Sequence, residues 1–385
     1  MSKLEKITLG NLLKSLDCNI CNNISKTLSN VERDKMKKGE LYPYYGATSI
    51  IDFINEYYFD GCYLLMAKDG TITTDNYKPI VRLIKGKFGV NSHVYVIQCE
   101  NKWKTKFLYY ALLNVDVNPY ITGSVQPKLN QENLFSISLL IPKSELEQRA
   151  IVSVLSSLDD KIDLLHRENK TLTKILDTCY KLYFTAKQTE KKQTVPLSDI
   201  AEIITGKIAP IEEYSKKEGK IINIASVRDF NNSKIYITDT KEHITQEAVD
   251  KMHYTIAPAN TVLFVYQMSP GKVALTACPM VTKKAIAQLR IKNNTYINPE
   301  YLYLYLKNLN YDAFIVSQTT ITAINKSKIG DIPIVIPDKE TMDKFTEQVV
   351  PLFTKVKTNN YTIQTLERLR DALLPALMSG KIRVV

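Results

Sequence analysis

Apolar residues recur in a heptad pattern from position 145 to position 186, which predicts a long helix that pairs with a second helix. One apolar series contains Leu155, Ile162, Leu176 and Tyr183, and the other contains Ile151, Leu158, Leu165, Leu172 and Cys179. These series are the a and d positions of a coiled coil, although Asn169 occupies one a position. No glycine or proline between positions 143 and 193 interrupts the helix.

The same pattern returns near the C-terminus. One series contains Phe345, Leu352, Asn359, Leu366 and Leu373, and the other contains Val349, Val356, Ile363, Arg370 and Leu377. A strand-like apolar run that ends in Ile-Pro precedes each long helix, at Ile141-Pro142 and at Ile336-Pro337. An internal duplication of a domain followed by a helix explains this recurrence.

Shorter apolar runs predict mixed strands and helices in both halves of the chain. In the first half, strands are predicted at 63–67, 80–84 and 94–97, a turn at 85–89 and a helix at 104–113. In the second half, strands are predicted at 221–224, 261–266, 272–275 and 286–291, and a helix at 301–306. The polar run at 187–194 is typical of a linker.

The predicted fold class is α+β, with two similar domains that are each followed by a long helix. The boundaries are 1–144 for the first domain, 145–186 for its helix, 187–338 for the second domain, and 339–385 for the second helix and tail. A duplicated unit most simply closes with pseudo-two-fold symmetry, so we expect an antiparallel coiled coil. In that register Asn169 and Asn359 share a layer or lie in adjacent layers, where paired amides offset the cost of burial. The predicted helix-pairing residues are Leu155, Leu158, Ile162, Leu165, Asn169, Leu172, Leu352, Val356, Asn359, Ile363 and Leu366.

Composition narrows the class of protein. The chain is 44% hydrophobic, which argues against a disordered protein, and it carries a net charge of +11, which favours a polyanionic partner. It has no apolar run of the ~18 residues that a membrane helix needs and no apolar signal-peptide core, so a cytoplasmic location is expected. The six cysteines are scattered. Cys18 and Cys21 form the only close pair, no zinc-site spacing occurs, and reduced thiols are expected.

No motif in the sequence supports catalysis. No Gly-Lys pair is followed by the serine or threonine of a phosphate-binding loop. Asn118-Pro119-Tyr120 lacks the second proline of the amino-methyltransferase motif, and no Pro-Asp precedes Glu218 and Lys220 as a nuclease motif would require. The histidines at 93, 166, 243 and 253 have no spacing that suggests a metal site or an acid–base pair. None of these segments forms a convincing active site.

Several segments together resemble the DNA-specificity subunit of type I restriction–modification enzymes. In the first half they are YPYYGATSII (42–51), LLMAKDGT (64–71), VNSHVYVI (90–97) and IPKSELEQRAIVSVLSSLDDKIDLL (141–165). In the second half they are MSPGKVALT (268–276), TKKAI (282–286) and LRDALLPALMSGKI (369–382). The resemblance covers essentially the whole chain, with Lys283 standing where the family often has asparagine.

The resemblance implies that this chain is not catalytic and holds no metal or cofactor of its own, and that its partners carry out the chemistry. Each globular domain would be a target-recognition domain that reads one half of a bipartite double-stranded DNA site. The long helices would act as a spacer and as docking surfaces for two DNA adenine methyltransferase subunits, which would bind S-adenosylmethionine. ATP-dependent restriction subunits, which combine a motor and a nuclease, would join them.

Polar, basic and aromatic residues in the loops between strands are the candidates for DNA contact. In the first domain they are Lys35, Lys37, Tyr42, Tyr44, Tyr45, Lys68, Asn91, Ser92, His93, Gln126 and Lys128. In the second domain they are Lys207, Lys216, Lys217, Arg228, Gln267, Lys272, Lys283, Lys284, Thr320 and Lys326. Any one lysine could equally be an ordinary solvated charge, and Tyr44 or Tyr45 could equally belong to the core.

Two other functions compete with DNA reading. The first is a coiled-coil scaffold that joins protein partners without reading DNA, and the second is an enzyme with an unrecognised site. Strong salt dependence of DNA binding would separate a DNA reader from a scaffold, because phosphate contacts release counterions.

Overall fold

The computed structural model describes residues 4–21, 24–74, 77–123, 125–184, 193–207, 221–230, 234–316 and 323–384. The chain forms two compact units, one of Met1–Lys161 with Leu366–Val385 and one of Ile162–Thr365. We call them unit 1 and unit 2. The boundary between them falls within both long helices.

Strands and helices alternate in both halves of the chain. In the first half they are β1 (Leu4–Thr8), α1 (Leu9–Ser15), β2 (Cys18–Ile20), α2 (Asn30–Lys35), β3 (Tyr42–Tyr45), β4 (Ile50–Ile54), β5 (Phe59–Ala67), β6 (Val81–Val90), β7 (Val94–Cys99), α3 (Lys102–Leu113), α4 (Gln131–Ser136), β8 (Ser138–Pro142) and α5 (Glu145–Phe184). In the second half they are β9 (Gln193–Pro196), α6 (Leu197–Ile200), β10 (Ala201–Thr205), β11 (Ile221–Ala225), β12 (Tyr236–Ile237), β13 (Glu242–Thr245), α7 (Gln246–Lys251), β14 (Val262–Val265), β15 (Val273–Thr276), β16 (Met280–Thr282), β17 (Ile286–Ile291), α8 (Pro299–Asn308), β18 (Ile315–Val316), β19 (Ala323–Ile324), β20 (Pro333–Ile336) and α9 (Lys339–Met378).

Unit 1 is built on a six-stranded sheet in the order β2-β7-β5-β6-β3-β4. The three strands and the helix predicted in the first half are confirmed as β5, β6, β7 and α3. The predicted turn at 85–89 is wrong, because β6 runs through it. Gly86 lies opposite Gly61 on β5 and has a φ of 89°, which a residue with a Cβ adopts only with strain. The glycine therefore allows an unusual backbone conformation within β6, and the strand continues past it.

Unit 2 is built on a five-stranded sheet in the order β10-β17-β14-β15-β12, beside a three-stranded sheet in the order β13-β11-β16. The strands and the helix predicted in the second half are confirmed as β11, β14, β15, β17 and α8. The predicted linker is only partly described. Its residues 187–192 lie outside the described residues, whereas Gln193 and Thr194 belong to β9, so the linker prediction is wrong for these two.

The two units repeat one local design. β1 pairs antiparallel with β8 in unit 1, and β9 pairs antiparallel with β20 in unit 2. The helix that follows the first strand of each pair starts in the same way. Leu9 N donates to Ile137 O at 2.7 Å, and Leu197 N donates to Ile332 O at 2.8 Å. These matching hydrogen bonds support the internal duplication predicted from the sequence.

The long helices run antiparallel within each unit. In unit 1, Leu155 of α5 shares a core with Leu377 of α9. In unit 2, Asn359 Nδ2 donates to Asn169 Oδ1 at 2.9 Å, and the rings of Phe184 and Phe345 lie 4.8 Å apart between centroids. The asparagines thus share a layer, which confirms the predicted register.

The predicted helix-pairing residues are withdrawn from solvent to different degrees. The buried ones are Leu155, Ile162, Leu165, Asn169, Val356, Asn359 and Ile363. The half-buried ones are Leu158, Leu172, Leu352 and Leu366. Burial of this set fits inward positions on the two helices.

One cysteine pair contradicts the expectation of reduced thiols. Cys18 and Cys99 face each other in the antiparallel pairing of β2 with β7 and form a disulfide. Their sequence separation concealed this pair, because spacing along the chain does not reveal which residues become neighbours across strands. Cys21, Cys62, Cys179 and Cys278 are free.

Candidate nucleic-acid interface

Three loops of unit 1 meet where β5 ends and β7 begins. Lys68 N donates to His93 O at 3.0 Å, and Leu129 N donates to Lys68 O at 2.8 Å. Gly70 N donates to Pro127 O at 3.0 Å, which holds the third loop in place. The predicted contact residues in these loops are Lys68, Asn91, Ser92, His93, Gln126 and Lys128. We call this group the loop cluster.

Side chains of the loop cluster present both charge and hydrogen-bonding groups. His93 Nδ1 lies 2.5 Å from Asp69 Oδ1, and Ser92 Oγ lies 2.6 Å from Thr27 Oγ1. Lys68 Nζ lies 5.8 Å from the centroid of the Tyr95 ring. Ser92, His93, Gln126 and Lys128 are exposed. Groups of these types can bind phosphates or read base edges.

Asn91 supports the turn of the loop cluster from within. The residue is 7% exposed, and its Oδ1 accepts a hydrogen bond from His93 N at 3.1 Å. Asn91 therefore shapes the loop cluster, and its direct contact with DNA stays a prediction.

Tyr44 is a correction. Its side chain is fully buried in a small core with Leu28 and Ile54. Its hydroxyl donates to Lys26 O at 2.5 Å and accepts from Leu28 N at 3.0 Å, and burial raises the pKa of Tyr44. The ring thus anchors the segment that leads to Thr27, and the prediction of a DNA contact is wrong.

The other residues predicted around β3 lie outside the loop cluster. Tyr42 and Tyr45 are half-buried, and Lys35 is exposed at the end of α2. Lys37 Nζ lies 2.9 Å from Asp34 Oδ1 and 3.3 Å from an Asp52 oxygen. Its charge is already matched by carboxylates, so binding a phosphate there would require these ion pairs to separate.

Unit 2 repeats the construction of the loop cluster. Tyr266 N donates to Ala285 O at 3.0 Å, and Ile324 N donates to Tyr266 O at 2.8 Å, which matches the bonds of Lys68 in unit 1. Gln267 follows Tyr266 and forms a bridge with Ala323. The same strand ends therefore carry the candidate loops in both units.

The strand directions of the five-stranded sheet in unit 2 bring several lysines to one end. β14 is antiparallel to both β15 and β17, β10 is antiparallel to β17, and β12 is parallel to β15. The residues just beyond the strands at this end include Lys207, Lys234, Lys272, Lys283 and Lys284. We call them the basic row. Gln267 lies beyond the end of β14 beside them.

Two members of the basic row have internal partners. Lys207 Nζ donates to His253 O at 2.8 Å, and Lys283 Nζ lies 2.6 Å from Glu242 Oε2. These contacts hold the two ammonium groups in place and partly satisfy them. Lys272 is half-buried and Lys284 is exposed, so both have surface from which to contact a ligand.

Of the remaining predicted residues of unit 2, two lie next to these strand ends. Arg228 is exposed in a turn after β11, whose last residue Ala225 accepts from Lys283 N at 3.0 Å. Lys326 is exposed in a turn after β19. Lys216, Lys217 and Thr320 lie outside the described residues.

Comparison with known proteins identifies the family. A family model for the type I restriction modification DNA specificity domain matches residues 2–174 and again residues 189–368. The chain belongs to this DNA-specificity family. Both copies of the specificity domain include residues of the loop systems described above.

Individual relatives agree with this assignment. The chain is 26% identical over 353 residues to the type I restriction enzyme MjaIX specificity subunit of Methanocaldococcus jannaschii, which spans 84% of this chain and 80% of the relative. It is 23% identical over 359 residues to the HindI specificity subunit of Haemophilus influenzae, with 72% and 77% of the two chains covered. The crystal structure of a type I restriction–modification S subunit from M. genitalium matches with a TM-score of 0.59 at 16% identity, and 98% and 96% of the two chains are covered. That likeness shows the fold.

The resemblance inferred from the sequence motifs is thus confirmed. The chain is a DNA-recognition subunit of a type I restriction–modification system, and its two specificity domains are consistent with a target read in two parts. No helix in the described ranges is long and apolar enough to cross a membrane. Among the described residues, no group of His, Cys, Asp and Glu side chains could hold a metal ion.

Sequence reasoning missed two lysines of this specificity subunit. Lys87 lies on β6, where a turn was expected. Its Nζ lies 4.8 Å from the ring centroid of Tyr57 and 5.6 Å from that of Tyr42. Lys234 lies just before β12 and belongs to the basic row. The aromatic residues around Lys87 are visible in the sequence, but their meeting depends on the pairing of distant strands.

Proposed function

We propose that each specificity domain reads one half of a bipartite DNA target, the first through the loop cluster and the second through the basic row with Gln267. The observation that supports this assignment is the matching pair of backbone hydrogen bonds made by Lys68 and by Tyr266. These bonds hold the candidate loops at equivalent strand ends in the two units. Loops on a rigid sheet suit recognition, because the scaffold fixes where each side chain points. Lysines would position the backbone, whereas His93, Gln126 and Gln267 have the hydrogen-bonding groups to read bases.

Catalysis, in this proposal, belongs to partner subunits. Two DNA adenine methyltransferase subunits bind S-adenosylmethionine and transfer its methyl group, and ATP-dependent restriction subunits join the complex. The docking surface for a methyltransferase subunit is the outer side of the paired helices. In unit 2, Leu164, Ile175 and Leu182 of α5 are exposed, and their spacing places them on one side of the helix. This apolar stripe offers a surface on which a protein partner can bury apolar area.

The decisive experiment maps methylated adenines in cells with and without the gene for this chain. We expect one bipartite motif to be methylated only when the gene is present. Exchange of residues 16–140 for the matching domain of a relative should then change one half of that motif and leave the other half intact. A change in both halves would contradict independent reading by the two domains.

Replacement of Lys68 and Lys128 together by alanine should weaken DNA binding by the assembled complex. Removal of each phosphate contact lowers the slope of log affinity against log salt by about 0.9, so removal of both should flatten it by about 2. Affinity for the target duplex would be measured over a salt series. Lys102→Ala combined with Lys143→Ala removes the same charge from exposed positions elsewhere in unit 1 and serves as the control. Equal slopes for the two variants would remove these lysines from the interface, and a wild-type complex without salt-dependent binding would favour a scaffold.

A further inference from the structure

We infer that a cavity in unit 2 is a binding site for a phosphate group of the DNA backbone, an inference that rests on the proposed function. The cavity measures about 400 Å³ and lies where β12 and β15 begin. Its lining includes Lys234, Lys272, Lys307, Gly271, Tyr303 and Tyr311. This volume is within the ~300–1,000 Å³ typical of ligand sites.

The charge of the cavity favours an anion. Its described lining contains three lysines and no acidic side chain. Lys307 Nζ is neutralised by Asp177, whose two carboxylate oxygens lie at 2.7 and 2.9 Å. Among the described residues, neither Lys234 nor Lys272 has an ion-pair partner. Two uncompensated ammonium groups at one concave site attract a phosphate, for which lysine acts as a point charge.

The wall of the cavity is fixed before any ligand arrives. Gly271 has a φ of +89°, and a Cβ at this position would lie 2.7 Å from the Tyr311 ring, so only glycine fits. Gly271 N donates to Val265 O at 3.0 Å, and Val265 N donates to Lys272 O at 2.9 Å. The loop that carries Lys272 is thus tied to β14. A preformed site loses less conformational entropy when it binds.

The location of the cavity indicates that the phosphate belongs to DNA. Lys234 and Lys272 are members of the basic row, so the cavity continues the surface proposed to contact DNA in this unit. A free phosphate ion has the same chemistry, but nothing about a free ion explains this continuity. Contact with a backbone phosphate fixes the position of the duplex and carries no direct sequence information. The site therefore supplies affinity and register, and base choice lies with neighbouring residues such as Gln267.

The test replaces Lys234 and Lys272 together by alanine in the full chain with its partners. Affinity is measured over a salt series for a duplex that contains the target and for one of equal length without it. Removing one bound phosphate should lower the salt slope by about 1, with a similar fold decrease in affinity for both duplexes. The matched control is again Lys102→Ala with Lys143→Ala, which removes two exposed lysines that lie outside both the basic row and the long helices. Unchanged thermal unfolding of both variants verifies the fold.

The outcomes separate this inference from the proposed function. A wild-type complex that binds its target, with a slope that the cavity variant leaves unchanged, would overturn the inference alone. A wild-type complex without salt-dependent DNA binding would overturn the proposed function as well. Titration of the wild-type chain with inorganic phosphate, followed by NMR, distinguishes the source. Binding of free phosphate that requires Lys234 and Lys272, with no change in DNA affinity on their replacement, would overturn the assignment to DNA.

Discussion

Asp159→Ala is expected to destabilise unit 1 by about 2–4 kcal/mol, because Asp159 joins three elements of that unit. Its Oδ1 accepts from Arg370 Nη1 of α9 at 2.9 Å, and its Oδ2 accepts from the Tyr110 hydroxyl of α3 at 2.6 Å. Both side chains of the ion pair are 22% exposed, and Tyr110 is 1% exposed. Alanine would leave the Tyr110 hydroxyl without its acceptor and the guanidinium with only the more exposed Asp371.

The free energy of unfolding, obtained from urea titrations, measures this effect. Asp159→Asn keeps one acceptor oxygen at the site, replaces the other with an NH2 donor and removes the charge, so we expect a smaller loss than with alanine. Glu340→Ala serves as the control, because it breaks an exposed ion pair with Lys344 on α9 that is worth less than about 1 kcal/mol. An Asp159→Ala loss no greater than that of the control would show that the contacts of Asp159 contribute little to the unit.

The pairing of Asp159 with Arg370 illustrates what periodicity can and cannot predict. The heptad pattern assigned Arg370 to an inward position, which fits its half-buried side chain. The pattern did not identify the partner, because Asp159 and Asp160 are adjacent and both are acidic. Asp160 instead pairs with Lys85 at 2.9 Å. Choice between neighbouring residues depends on the rotation of the helix against α3 and α9, which a single sequence does not specify.

The long helices were predictable because their signal is local and repeated. Both run for 40 residues, at Glu145–Phe184 and Lys339–Met378, and the first begins at the predicted residue. The turn predicted at Gly86 failed because glycine permits both a turn and a strand with positive φ. Only pairing with Gly61 selects the strand.

The sequence predicted the types of residue in the candidate site better than it predicted which individual residues belong to it. Polar loops after strands contained Lys68 and His93, which backbone hydrogen bonds bring together. Tyr44 and Tyr42 are the same residue type in the same polar and aromatic segment. Tyr44 is nevertheless buried, because its side chain faces a core formed by distant segments. Lys234 belongs to the basic row only because β12 pairs with β15 in the parallel direction. Such long-range pairing decides which polar residues share a surface.

Asn359→Leu is expected to lower the stability of unit 2 by about 1–3 kcal/mol, whereas combining it with Asn169→Leu should recover most of that loss. Asn359 Nδ2 donates to Asn169 Oδ1 at 2.9 Å and to Glu168 Oε2 at 3.0 Å. Asn169 Nδ2 in turn donates to Asn360 Oδ1 at 2.8 Å. Asn359 and Asn169 are 2% and 8% exposed, so the single change leaves a buried acceptor without its donor.

A double-mutant cycle of urea-derived unfolding free energies would measure the coupling between the two asparagines. The paired leucines form an apolar layer, which removes the unsatisfied amide and adds hydrophobic burial, so the double variant should be more stable than Asn359→Leu alone. Thr358→Leu is the control, because Thr358 is exposed beside Asn359 on α9. Additive losses from the two leucine substitutions would show that the asparagines are not coupled. Strong coupling would instead mean that a slipped helix pairing has to bury unsatisfied amides, which is how a polar layer selects one register over its alternatives.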